Sequence, residues 1–126
     1  MSAVPGIPLS VPDLRGNEAA YLARCVADNW VSSAGPFVVE MEAQLARLTG
    51  RAHGVAMVNG TAALHLALVA AGIGAGDRVI VPDWTFGASA NAVYHAGAEP
   101  YFVDVTAESW TLDRTLVARV LADPEA

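Results

Sequence analysis

From Gly54 onward the chain alternates short apolar runs with helix-forming stretches, and this alternation limits its possible folds more than any other feature. Residues 54–58 form one such run, punctuated by Asn59-Gly60. Residues 61–71, rich in Ala and Leu, predict a helix that the glycines of 72–76 stop. Residues 78–81 predict a second strand, Arg-Val-Ile-Val, bounded by Asp77 and Pro82. A helix over 86–96 and a third strand over 100–105 follow, the latter with Tyr101, Phe102 and Val103. Asp113 then caps a last helix through about Leu121, which carries Leu116, Val117 and Val120. Strands separated by helices imply right-handed crossovers and a parallel sheet. Apolar runs without polar alternation suit strands covered on both faces.

Ahead of this pattern the sequence is helical. The first 13 residues hold Pro5, Pro8 and Pro12 and predict an extended arm. Asn17 is placed to cap a helix running to about Asp28, with Leu22 and Val26 on one face. The loop Trp30-Val31-Ser32-Ser33-Ala34-Gly35 leads to Pro36, which suits the first turn of a second helix because its missing N–H is not needed there. Phe37, Met41, Leu45 and Leu48 recur as one helical stripe, and Gly50 ends that helix. The predicted order is therefore α-α-β-α-β-α-β-α.

At 126 residues and 54% hydrophobic, the chain has the length and apolar content of one packed domain. Its net charge is −6, and its seven basic residues are all arginines, scattered from Arg15 to Arg119. No basic patch exists to displace counterions from a nucleic acid, so nucleic-acid binding is not expected. The most apolar segment, residues 62–76, is interrupted by His65 and by glycines and falls short of the roughly 20 residues a membrane span needs. The N-terminus has no basic and then apolar signal pattern. The lone Cys25 has no partner for an intrachain disulfide and reads as a small apolar helix residue, which fits a cytoplasmic setting. Three strands leave exposed sheet edges, and the sequence stops just after a helix, so a truncated product of a longer protein is expected, the alternative being that a second chain completes the sheet.

Three segments bear on chemistry. In Asn59-Gly60-Thr61-Ala62-Ala63 a strand turns into a helix. A helix start offers unpaired N–H groups and partial positive charge, which suits a phosphate. Gly60 permits close backbone approach, Thr61 adds a hydroxyl at the cap, and Ala62 and Ala63 keep side chains out of the way. An ordinary Asn-Gly turn with a Thr cap explains the same residues. Asp83-Trp84-Thr85-Phe86 follows the second strand, at the end of a parallel sheet where ligands sit, and its aromatics either stack on a flat ring or fill the core. The 30–36 loop offers hydroxyls and amides just before a helix. By contrast, Gly72-Ile73-Gly74-Ala75-Gly76 follows a helix and precedes a strand, the reverse of a dinucleotide-binding fingerprint. His53, His65 and His95 are not at metal-ligand spacing, so no metal site is expected.

Taken in order, these segments resemble the N-terminal third of the DegT/DnrJ/EryC1/StrS family of pyridoxal 5'-phosphate (PLP) dependent sugar aminotransferases. The matching stretches are Trp30-Val-Ser-Ser-Ala-Gly-Pro36, residues 37–42, Asn59-Gly-Thr-Ala-Ala-Leu64, Gly76-Asp-Arg-Val-Ile-Val-Pro82, Thr85-Phe86 through Asn91-Ala92, and Phe102-Val103-Asp104. The resemblance implies an α/β fold, the first part of a fold-type-I transferase large domain with a mostly parallel sheet. Residues 1–16 would be an arm and 17–126 the truncated large domain. It implies that Gly60, Thr61 and Ala62 hold the PLP phosphate and that Phe86, rather than Trp84, stacks on the pyridine ring. Ser32, Ser33 and Gly35 would line the sugar-nucleotide site. Asp104 matches the aspartate ending a strand and is not the partner of the pyridine nitrogen.

The resemblance further implies an amino-acid donor such as glutamate, a nucleotide-linked keto sugar as acceptor, and a homodimer at full length. The 30–35 loop looks closer to members that make amino sugars for surface glycans. The family's reaction also needs a lysine for its Schiff base, and this sequence contains none. No catalytic residue is therefore assigned, and the 126 residues by themselves are not expected to transaminate. The alternative is an inactive relative that binds a phosphate-bearing ligand or pairs with a full-length homologue.

Overall fold

The computed structural model describes residues 6–8 and 10–123. Parts of the predicted arm, residues 1–5 and 9, and the final 124–126 lie outside the described residues. The chain divides into two compact units, Met1–Ala56 and Met57–Ala126.

The first unit holds α1 (Glu18–Ala27) and α2 (Pro36–Thr49). Asn17 precedes α1 as expected, but its side chain makes no cap hydrogen bond, because its backbone (φ −95°, ψ 9°) lacks the extended conformation that aims a capping oxygen at the first turn. Pro36 opens α2 and Gly50, in the left-handed conformation at φ 66°, closes it, both as the sequence predicts. The helices meet where the Tyr21 and Phe37 rings lie 5.1 Å apart, with the Arg24 guanidinium 4.9 Å from the Phe37 centroid. The rest of the apolar stripe has no cover in this unit: Met41, Leu45 and Leu48 are 51%, 45% and 84% exposed. Only Ala46 of α2 is buried. In the arm, the Arg15 guanidinium beside Asp13 holds that carboxyl below its usual range.

Residues 54–58 do not form the predicted strand. Gly54 crosses so close to α2 that a Cβ there would strike the Glu42 carbonyl. The Ala56 N–H, which a strand would offer to a neighbour, instead donates to Glu42 Oε1 at 2.9 Å. A strand exists only by pairing, and here a helix side chain takes the donor.

The second unit holds α3 (Gly60–Ala70), β1 (Arg78–Pro82), α4 (Ala88–His95), β2 (Glu99–Val103) and α5 (Arg114–Ala122). β1 and β2 pair in parallel, Arg78 opposite Glu99 and Pro82 opposite Val103, as alternation with a helix requires. Val81, Val93 and Ala98 form the core, with Leu68, Ile73 and Val79 packed against them. Cover on both faces does not hold along the whole of β2, where Phe102 stays 48% exposed. β2 ends at Val103, and Val105 leaves the sheet to bridge Leu112 in antiparallel fashion. The helix expected from Phe86 begins two residues later, at Ala88. No described helix is long and apolar enough to cross a membrane.

Candidate cofactor site

α3 begins at the turn singled out in the sequence. Asn59 has an extended backbone, and its Oδ1 accepts the Ala62 N–H at 2.9 Å. The capping residue is thus Asn59 rather than Thr61, because Gly60 already occupies the first helical position. The Ala63 N–H donates to the Asn59 carbonyl at 3.1 Å, closing the first turn. Among the described residues, the amides of Gly60 and Thr61 and the Thr61 hydroxyl make no hydrogen bond. A Cβ on Gly60 would meet only open space, so glycine here leaves the amide uncovered instead of relieving a clash. Gly60 is exposed, while Thr61 and Ala62 are half-buried. This helix start therefore presents two free amides, one hydroxyl and a partial positive charge, the chemistry that favours a nearby anion.

The carboxyl ends of β1 and β2 lie at the same edge of the sheet, and the Asp83 N–H extends the ladder by donating to the Val103 carbonyl at 2.9 Å. Phe86, on the loop after β1, is 84% exposed and is not buried within this chain. Thr85 Oγ1 and Ser89 Oγ lie 2.9 Å apart, tying that loop to α4. Trp84 is 68% exposed and meets Trp110 of the β2–α5 loop, ring centroids 5.4 Å apart. No local sequence signal links these two positions. Asp104 Oδ1 accepts the Val105 N–H at 2.7 Å, so this carboxylate serves its own turn.

Ser32, Ser33 and Gly35 belong to the first unit, on the loop between α1 and α2, with both serines exposed. Gly35 has φ 154°, a value side-chain-bearing residues rarely adopt, and a Cβ there would sit 3.4 Å from Trp30 Cβ. The rings of His65 and His95 approach to 5.9 Å, but among the described residues no three His, Cys, Asp or Glu side chains gather as a metal set.

The second unit is thus an α/β arrangement in which a helix start with free amides and a parallel sheet with an exposed aromatic beyond its carboxyl end occur together. Residues 12–124 match the model of the DegT/DnrJ/EryC1/StrS aminotransferase family, and the chain belongs to that family. It is 50% identical over 113 residues to GDP-perosamine synthase of Caulobacter vibrioides, covering 90% of this chain and 30% of the relative. It is 33% identical over 117 residues to UDP-4-amino-4-deoxy-L-arabinose–oxoglutarate aminotransferase of Shewanella sediminis, covering 93% of this chain and 30% of that one. Among solved structures, the PLP-form of Spr1654 of Streptococcus pneumoniae, whose name calls it a sugar aminotransferase, superposes with a TM-score of 0.80 at 34% identity. That match covers 90% of this chain and 29% of the other. The chain thus spans about 30% of the length of such relatives.

The residues present fit one end of PLP. The α3 start suits its phosphate, and Phe86 offers an uncovered ring face. The covalent end has no counterpart, because the sequence has no lysine.

Proposed function

We propose that this chain is the N-terminal third of a PLP-dependent aminotransferase that moves an amino group from an amino acid such as glutamate onto a nucleotide-linked keto sugar. The observation that carries this reading is the α3 start, where Asn59 caps the helix and leaves the Gly60 and Thr61 amides free. In the proposal those two amides and the Thr61 hydroxyl hold the cofactor phosphate, and Ala62, whose own N–H is taken by Asn59 Oδ1, contributes only its small side chain beside it. Phe86 stacks on its ring, and Ser32, Ser33 and Gly35 line the sugar-nucleotide site. Bound PLP supplies the electron sink that lets an amino group pass between donor and acceptor. This chain's share is to seat and orient the cofactor. The remainder of a family-length chain supplies the lysine and the carboxylate beside the pyridine nitrogen.

The names of the relatives divide between GDP- and UDP-linked sugars, which supports a nucleotide-linked sugar as acceptor, and one names oxoglutarate, which supports the glutamate–oxoglutarate pair as donor system. Both compact units would belong to one large domain, with residues 1–16 as its arm, in a cytoplasmic homodimer. Reading the coding DNA past the Ala126 codon tests the proposal. An open frame with an in-frame aspartate followed by a lysine in the family's later motifs supports it. A longer frame lacking both removes it.

The missing lysine favours one second reading, a catalytically inactive relative that binds a phosphate-bearing ligand or pairs with a full-length homologue. A frame that ends at Ala126, together with saturable phosphate binding by the chain, supports that reading over the first.

A further inference from the structure

Phe86 is 84% exposed, so packing of its own ring does not fix its direction. Its loop must do so. The loop is tied at its start by the Asp83 N–H on the Val103 carbonyl, at 2.9 Å. It is tied at its end by the Thr85–Ser89 hydroxyl contact and by the Ser89 N–H on the Phe86 carbonyl at 3.0 Å. Between these ties stands Trp84, and what Trp84 touches is Trp110, with the rings tilted 57°.

Trp110 is mounted on the more heavily bonded of the two loops. Its N–H donates to the Thr106 carbonyl at 2.9 Å, and the Thr106 N–H donates to the Thr111 carbonyl at 3.0 Å. The hydroxyls of Thr106 and Ser109 lie 2.7 Å apart, and those of Ser109 and Thr111 2.8 Å apart. The Val105–Leu112 bridge closes the base. Within this frame Trp110 holds φ 57°, a left-handed conformation that a bulky residue adopts only when its surroundings over-determine it. Yet Trp110 is 61% exposed, so burial within this chain does not hold it there.

We propose that Trp110 is a positioning residue. By holding Trp84 it fixes the 83–87 loop, so that Phe86 presents its face to the flat heteroaromatic ring of a phosphorylated ligand. This rests on the reading of Phe86 and α3 given above, and it adds a residue from a different loop to that site.

The test uses the chain itself with two probes, inorganic phosphate and pyridoxine 5'-phosphate. The second carries the cofactor's ring and phosphate without its reactive aldehyde. Binding is followed by amide shifts of Gly60 and Thr61. Trp110→Gly removes the indole while suiting the left-handed backbone, and Trp110→Phe keeps an aromatic contact. The expected result is that Trp110→Gly weakens pyridoxine phosphate by about threefold to tenfold, the size of one aromatic contact, and leaves inorganic phosphate unchanged. Trp110→Phe stays within about twofold, and Phe86→Ala behaves like Trp110→Gly. The coupled-indole signal in far-ultraviolet circular dichroism disappears in Trp110→Gly and in Trp84→Phe. If Phe86→Ala weakens pyridoxine phosphate and Trp110→Gly does not, the positioning role is wrong while the Phe86 reading stands. Equal weakening of both probes by Trp110→Gly means general loosening and also overturns the role. If the unaltered chain binds pyridoxine phosphate no tighter than phosphate, the Phe86 reading fails first and this inference falls with it.

Discussion

The starts of α3 and α5 look alike in sequence and differ in what they leave open. Each helix is preceded by an extended residue whose side chain caps it, Asn59 for α3 and Asp113 for α5. Asp113 Oδ1 takes two amides, those of Thr115 at 2.7 Å and Leu116 at 3.4 Å. Asn59 Oδ1 takes one, that of Ala62, and the amides of Gly60 and Thr61 stay free. Asp113 also carries a negative charge where an anion would need to sit, whereas Asn59 is neutral. The α5 cap leaves one first-turn amide free, that of Arg114, and the α3 cap leaves two, although both stabilise their first turns in the same way.

The largest expected effect comes from making α3 resemble α5. Asn59→Asp keeps a capping oxygen and adds a charge about one residue from the free amides. Two like charges ~4 Å apart repel by about 1 kcal/mol in water and more where solvent is partly excluded, which sets a loss of phosphate affinity of roughly fivefold to tenfold or greater. Helix stability should hold or rise, since an anion favours a helix N-terminus. Phosphate titration and thermal melting of the same sample measure both. Unchanged phosphate affinity in Asn59→Asp would mean the anion does not sit at this end of α3.

Removing the α5 cap is expected to cost stability alone. Asp113→Ala frees the Thr115 and Leu116 amides and should lower unfolding stability by about 1 kcal/mol in urea denaturation. Phosphate affinity read at Gly60 and Thr61 should not move. A drop there would join two helix starts that the comparison treats as independent.

A smaller effect isolates a single donor. Gly60 is the first residue of α3, where proline is tolerated, and Asn59 before it has the extended backbone that a following proline prefers. Gly60→Pro should therefore leave stability within ~0.5 kcal/mol while deleting one of the two free amides. Phosphate affinity should fall about threefold to fivefold, the net value of one hydrogen bond. A melting temperature that collapses would show instead that Gly60 is needed for the turn.

The degree to which the sequence disclosed these features follows their range. Asp113, Pro36 and Gly50 act on their own helices, and each does what its residue type predicts. β1 and β2 were legible because Gly and Pro bracket compact apolar runs, and their parallel pairing follows from the intervening α4. Residues 54–58 read equally well as a strand, but strand identity depends on a neighbour, and Glu42 took the donor first. The sequence places the α3 turn but puts its cap at Thr61 instead of Asn59, since both side chains carry a suitable oxygen and only the backbone angles choose between them. The Trp84–Trp110 contact had no sequence signal, because it joins two loops through the register of the sheet.

The smallest effect separates charge from occupancy as the reason α5 is closed. Asp113→Asn makes its cap neutral, as Asn59 is, yet keeps an oxygen able to accept the Thr115 and Leu116 amides. Asparagine and aspartate cap about equally well, so stability should change by less than ~0.5 kcal/mol. If occupied amides close α5, Asp113→Asn gains no phosphate response at residues 114–116 in an amide-resolved titration. If the charge alone closes it, phosphate shifts appear there at the concentrations that move Gly60 and Thr61. The expected outcome is no new response: the free pair of amides at Gly60 and Thr61, more than the neutrality of Asn59, is then what sets α3 apart.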